Sequence, residues 1–215
     1  MELAYEIDAL QQNILRMGAR VDTALRKTLA ALELHDYELA AEVIREDAVI
    51  DALQATIEDQ CMHLISVAQP GPPDLRQLLV GIKIAASLER TGDHARHLAR
   101  RARVVTDPLF VEAFPVIRRM AQIDIEMLHD SLTAYVKRDA EAACAVAARD
   151  DEIDALNSRL HRLLIGIMQA HPETIEKGME LMMVNRFLER LGDHVTNICE
   201  WIVYASRNEH VELNL

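Results

Sequence analysis

Apolar residues recur at three- and four-residue steps along most of the chain. In the first stretch Ile7, Leu10, Ile14, Met17, Val21, Leu25 and Leu32 fall on one stripe, the pattern of a helix with one buried face, and it predicts a helix over about residues 5–34. His35-Asp36 interrupts the pattern, with Asp36 placed to cap a second helix over about 37–67. Pro70-Gly71-Pro72-Pro73 is the strongest turn signal in the chain. Asp74 is the expected cap of a third helix reaching about Val105. Asp107-Pro108 marks a boundary, and Pro115 sits within or just before the first turn of a fourth helix, where proline is tolerated. That helix runs to about Lys137 with Val116, Met120, Ile123, Met127 and Leu128 on its apolar side. Asp139 precedes a fifth helix over about 140–169, and His171-Pro172 separates it from a sixth over about 174–206. No stretch alternates apolar and polar residues long enough for a sheet, so the expected fold class is all-α.

The second half repeats the first. The offset from Asp36 to Asp139 (139 − 36 = 103) also carries Asp47 onto Asp150, and Ile50-Asp51-Ala52-Leu53 onto the identical Ile153-Asp154-Ala155-Leu156. Leu88-Glu89-Arg90-Thr91-Gly92-Asp93-His94 returns as Leu188-Glu189-Arg190-Leu191-Gly192-Asp193-His194 with one change. A fixed internal period marks a repeated structural unit. The expectation is two tandem three-helix bundles related by internal duplication, residues 1–107 and 108–215. A single six-helix bundle with pseudo-twofold symmetry is the other arrangement of the same units. Helices of about 30 residues are about 45 Å long, and short turns make neighbours antiparallel.

Composition narrows the function. Half of the 215 residues are hydrophobic but only 4% are aromatic, and the formal net charge is −12. An acidic chain lacks the basic surface that nucleic acid or anionic lipid requires and is open to cations. Cys61, Cys144 and Cys199 form no CxxC pair and read as reduced, packed thiols of a cytoplasmic protein. The amino-terminal residues lack the basic and apolar regions of a signal peptide, and no apolar run is long enough for a membrane span.

The candidate chemistry lies in acids spaced four apart, which share a helix face. Each half has two such pairs: Asp47/Asp51 and Glu89/Asp93 in the first, Asp150/Asp154 and Glu189/Asp193 in the second. One pair is ordinarily just solvated surface. Matched pairs on two antiparallel helices would face each other, repel, and raise each other's pKa. A hard cation such as magnesium, manganese or iron relieves that repulsion, and bridging carboxylates allow a multinuclear site. A glycine between the acids of each third-helix pair costs about 1 kcal/mol against alanine, which suggests that something needs room there. The last helix continues its acidic face with Asn197 and Glu200, whereas the first half offers Arg96, His97 and Arg100. The second-half site is therefore expected to bind metal more tightly. His94 and His194 lie about 100° off the acids' face and read as packing or capping residues; Trp201 and Tyr204 read as packing residues. Glu126-x-x-His129 matches half of a di-iron motif but has no second copy. Nothing resembles a nucleophile constellation or a phosphate-cradling glycine loop.

With these motifs the chain resembles the PhoU family, over nearly its whole length. The most specific matches are Leu188 to Glu200 and the pair of segments Asp47 to Leu53 and Asp150 to Leu156. The resemblance implies two three-helix repeats and a cytoplasmic, non-enzymatic regulator of phosphate homeostasis. Such a protein acts with a phosphate ABC transporter and a sensor histidine kinase to repress the phosphate-starvation response. It further implies iron, manganese or magnesium on the acidic motifs, and a homodimer. A carboxylate-held metalloenzyme, a hydrolase or oxidase, is the alternative.

Overall fold

The computed structural model describes residues 2–102 and 108–214, with Glu2 described by its backbone alone. All regular structure among them is helical: α1 (Glu2–Leu34), α2 (Tyr37–Ala68), α3 (Pro72–Ala99), α4 (Phe114–Lys137), α5 (Ala140–Ala147), α6 (Asp150–Ala170) and α7 (Ile175–Arg207), with 3-10 turns at Pro108–Phe110 and Pro172–Thr174. The all-α expectation holds. Along α1 the apolar stripe faces inward, and Ile14, Met17 and Val21 are wholly buried.

The two aspartate caps form as expected. Asp36 Oδ1 accepts the N–H groups of Glu38 and Leu39, and Asp139 Oδ1 accepts that of Ala142. Each satisfies donors that the helix leaves unpaired, an effect of about 1 kcal/mol. Asp74 does not cap α3. The helix starts earlier, at Pro72, with Gly71 before it and two prolines in positions where a missing N–H costs nothing. Its other end also differs: α3 stops at Ala99, where Arg101 and Ala102 bond back to the carbonyls of Leu98 and Ala99 in a tighter turn. The expected extension to Val105, and the Asp107 side of the expected boundary, fall on residues 103–107, outside the described residues.

The expected fifth helix is two helices. The backbone tightens between them: Arg149 N–H bonds to Val146 and Glu152 N–H to Arg149, each three residues back. The Arg149 side chain meanwhile reaches across to Glu126 and Asp130 of α4. The break leaves Asp150, Asp151 and Glu152 in the first turn of α6, where the helix dipole favours negative charge.

Helices α1, α2 and α3 pack on one another, and α7 packs on α4, α5 and α6. The halves are joined along α3 and α7, with a second contact between α1 and α4. Arg101 meets Glu180, His97 meets Phe187, Lys83 meets Trp201 and Arg76 meets Tyr204. Residue numbers thus fall on α3 as they rise on α7, and the two helices are antiparallel. Equivalent residues meet near the middle: the rings of His94 and His194 stack with centroids 5.2 Å apart. One buried cluster runs through both halves, from Ile14, Ile84 and Leu88 to Met120, Leu188 and Ile198. The two repeats are thus fused into one body with a pseudo-twofold relation, one of the two arrangements that the repeat allowed, with seven helices rather than six because of the break at Arg149.

Candidate metal centre

In the first half, Asp47 of α2 points at α3 and is 5% exposed. Arg96 lies one turn beyond Asp93. Its Nη1 is 2.5 Å from Asp47 Oδ2 and its Nη2 is 2.6 Å from Asp93 Oδ1. The guanidinium thus sits between two of the acids expected to take a cation. Burial pushes the Asp47 carboxyl up, the Arg96 charge pulls it back, and Asp51 and Asp93 push it up again. Glu89 is raised as well, by burial first and then by Asp93 and Asp51. Arg100 takes no part: it is exposed at the end of α3 and makes no ion pair among the described residues. Of the two arginines expected to oppose a metal here, Arg96 alone reaches the acids.

The second half lacks that cation. Thr196 stands in the place of Arg96, and its buried hydroxyl has no hydrogen-bond partner. Asp150 is 6% exposed and its Oδ1 also has no partner. Burial raises the Asp150 carboxyl to about 7, with Asp154, Asp193 and Glu189 adding their repulsion. Asp154 is raised by burial and then Asp193, and Glu189 by the same two causes. These four acids therefore share one electrostatic environment, as their spacing implied.

The glycines explain how close the helices come. A Cβ on Gly192 would lie 2.2 Å from Asp150 Oδ1 and 2.9 Å from Ile153 Cδ1. The space beside the acids is filled there by an acid itself. On Gly92 the nearest atom would be Ile50 Cδ1 at 3.0 Å. Ile50 is the counterpart of Ile153, so the two glycines share an apolar role and only Gly192 adds the close carboxylate.

Asn197 and Glu200 do not extend the acid patch. The Asn197 amide donates to the Asp193 carbonyl on its own helix. Glu200 accepts the Leu213 N–H, and the Asn214 amide donates to Asp193 Oδ1 at 2.6 Å. Residues 211–214 thus return along the outer side of α7 and engage that face, a contact that helical spacing within α7 could not reveal.

The residue missed from the sequence is Asp124. It lies on α4, wholly buried, with neither carboxylate oxygen partnered. Burial, then the neighbouring Asp150, raise its carboxyl well above the usual range. The signal was present: Asp124 stands four residues after Met120 and three before Met127, inside the apolar stripe of α4, and the offset of 103 places it on Val21. A carboxylate in a buried stripe, with an apolar residue at the same place in the other repeat, stands out from the pattern.

The remaining candidates behave as packing residues. His94 and His97 pack against Phe187, and Arg101 lies over the same ring. Burial depresses His94 to about 4 and lowers His194 and His97, so these rings are neutral spacers between the halves. Trp201 and Tyr204 pack edge to face, with His210 stacked on Tyr204. Glu126 of the Glu-x-x-His fragment is bound by Arg149. Cys61 and Cys199 are buried, their thiols pushed up to about 12 by burial.

Among the described residues no three His, Cys, Asp or Glu groups are arranged, as the side chains stand, to hold one metal ion. What favours a cation is the chemistry of the second half: clustered carboxylates and buried oxygen atoms without partners at Asp150 and Thr196, with the Arg190 guanidinium only at the edge, its Nε 3.9 Å from Glu189 Oε2. Hard divalent ions prefer such all-oxygen surroundings. The first half fits less well, because Arg96 already supplies the positive charge.

No described helix is long and apolar enough to cross a membrane. The PhoU domain model matches residues 14–102 and 117–202. A phosphate-specific transport system accessory protein PhoU homolog of Zymomonas mobilis is 34% identical over 206 residues, covering 96% of this chain and 87% of its own. The crystal structure of the phosphate transport system regulatory protein PhoU from Streptococcus pneumoniae superposes with a TM-score of 0.91 at 31% identity, covering 98% of this chain and 99% of its own. PhoU from Pseudomonas aeruginosa gives 0.91 at 28%, covering 96% and 99%. These relatives are named as accessory and regulatory proteins, not as enzymes. Duplicated helical units, acid pairs beside in-helix glycines and full-length likeness together make this chain a member of the PhoU family.

Proposed function

We propose that this chain is an accessory regulator of phosphate transport, working in the cytoplasm as a metal-binding adaptor. It couples a phosphate ABC transporter to a sensor histidine kinase and holds the phosphate-starvation response off when phosphate is plentiful. The naming of its relatives as phosphate transport accessory and regulatory proteins supports the physiological part. The observation that carries the metal part is Asp150, a buried carboxylate with an unpartnered oxygen, held against Gly192 and flanked by Asp154, Glu189 and Asp193.

Asp150, Asp154, Glu189 and Asp193 would hold the ion, iron, manganese or magnesium, with the buried Asp124 carboxyl behind Asp150. The positive charge supplied there would offset the repulsion among these acids. The acids come from α6 and α7, so occupancy would tie the first turn of α6 to the long helix that joins the halves. Binding to the folded chain alone would stabilise it by mass action.

The test has two readouts. Metal content and melting temperature, with and without chelator, are compared for wild type and an Asp150→Asn/Asp193→Asn variant. A phosphate-starvation reporter is then followed in cells lacking this chain and complemented with either form. Bound metal that falls in the variant, together with repression restored by wild type alone, is the expected result. Absence of metal under every loading condition defeats the metal part. Reporter output indifferent to removal of the chain defeats the regulatory part.

A further inference from the structure

A second site lies away from the acids, where the two halves meet at the start of α3. Four helices enclose a cleft of about 140 Å³ there, between the first turns of α1, the start of α3, the last turns of α4 and the end of α7. Arg76 is sixteen positions before Gly92 on α3, about 24 Å along the helix axis. The cleft is thus remote from both acidic patches.

The walls are of two kinds. Ile7, Leu10, Val80 and Ile202 give an apolar floor, and Arg76 and Arg138 bring two guanidinium groups to the same space. No carboxylate lines it, and among the described residues neither arginine has a carboxylate partner. In a chain of net charge −12, two cations sharing one cleft without an anion is a specific arrangement. Both are also held in place. Arg138 ends α4 in a left-handed backbone conformation and donates to Gln77 Oε1 at 2.7 Å. Arg76 lies over the Tyr204 ring, 5.7 Å from its centroid. A guanidinium over an aromatic ring keeps planar N–H donors that match paired oxygens.

We infer that this cleft binds a small amphiphilic anion, its carboxylate or phosphate oxygens taken by Arg76 and Arg138 and its short apolar body laid on Ile7, Leu10, Val80 and Ile202. Such a ligand touches both repeats at once, and this inference does not rest on the metal reading. Two fixed guanidinium groups select for an oxyanion; the apolar floor selects against a bare inorganic ion.

Isothermal titration with hexanoate, butyl phosphate and inorganic phosphate, each against wild type and Arg76→Gln/Arg138→Gln, tests it. Saturable binding of hexanoate or butyl phosphate, weakened tenfold or more in the double variant, with inorganic phosphate at least tenfold weaker than butyl phosphate, is the expected result. An unchanged circular dichroism spectrum and ligand-free melting temperature show that the variant is folded, and single Arg76→Lys and Arg138→Lys variants replace it if it is not. Each of these keeps the charge, loses the fork, and is expected to bind several-fold less tightly. Three results overturn the inference: no saturable binding of either organic anion, binding indifferent to the arginines, or inorganic phosphate bound as well as its butyl ester.

Discussion

At the scale of single residues, Asp150 ties the site to measurable titration. In the metal-free folded chain its carboxyl sits at about 7, raised mainly by burial, whereas an unfolded aspartate titrates near 3.9. The folded state therefore holds a proton that the unfolded state has lost between those values. The stability this gives is complete below about pH 4 and is lost as pH rises through 7. His94 acts in the opposite sense: depressed to about 4 in the fold against about 6.5 unfolded, it favours the folded state as pH rises over that interval. Comparison with Asp150→Asn cancels His94, which is common to both chains, and reads the Asp150 carboxyl together with its effect on the neighbouring Asp124. In chelator-treated protein the variant should become the more stable one as pH rises from 4 to 7.5, by on the order of 2–4 kcal/mol. Denaturant melts at four or five pH values measure this, and a pH-independent difference would mean that Asp150 already has a partner.

At the scale of helices, the glycines separate close approach from mere repetition. Gly192→Ala drives a methyl into Asp150 Oδ1 and Ile153, and overpacking of this kind costs about 1–3 kcal/mol. Gly92→Ala meets only the side chain of Ile50 at 3.0 Å, so the helix-propensity gain of about 1 kcal/mol largely offsets a small shift. Gly166, exposed with nothing within 4 Å of an added Cβ, should gain that propensity outright. The expected order of melting temperatures is Gly166→Ala above wild type, Gly92→Ala near it, and Gly192→Ala well below. Equal losses at Gly92 and Gly192 would show that the acid contributes nothing to the tight approach. The same helices show where sequence reasoning reached and where it stopped. Ile7 to Leu32, Asp36 and Asp139 are local signals, and α1 and both caps followed from them. The break at Arg149 depends on Glu126 and Asp130 of another helix, and the return of residues 211–214 onto α7 depends on Glu200 and Asp193. Neither is written in local periodicity. The acid pairs were legible because duplication repeated them. Asp124 has no such repeat to mark it, and its one local sign is its place inside the apolar stripe of α4.

At the scale of the whole molecule, the halves share a helical plan, broken once in the second at Arg149, and differ in one charge beside the acids. In the first repeat a guanidinium holds two of the acids; in the second the corresponding position is a threonine without a partner. Arg96→Thr copies the second arrangement into the first. In the chelator-treated state it should destabilise the chain, because Asp47 is left buried without its counter-charge. In the metal-loaded state it should raise the number of ions bound per chain, read by elemental analysis. Unchanged stoichiometry would mean that Arg96 is not what keeps the first repeat from binding. The repeat also made the pseudo-twofold body foreseeable, but the choice between two separate bundles and one fused body depended on the faces of α3 and α7. Those faces are recognisable as partners only when His94 and His194 are seen together.

That stacked pair has a consequence for the history of the chain. A residue that packs against its own copy is the mark of an isologous contact, the kind that joins two identical subunits about a twofold axis. We infer that the ancestral three-helix unit was a self-associating protein, and that gene fusion turned its dimer interface into the seam of a single chain. The seam should still work between separate pieces. Fragments 1–102 and 108–215, co-expressed, are expected to co-purify as a one-to-one complex with the helicity of the intact chain. Fragments that fold apart and ignore each other would place the fusion before the interface, and make the histidine stack a later acquisition.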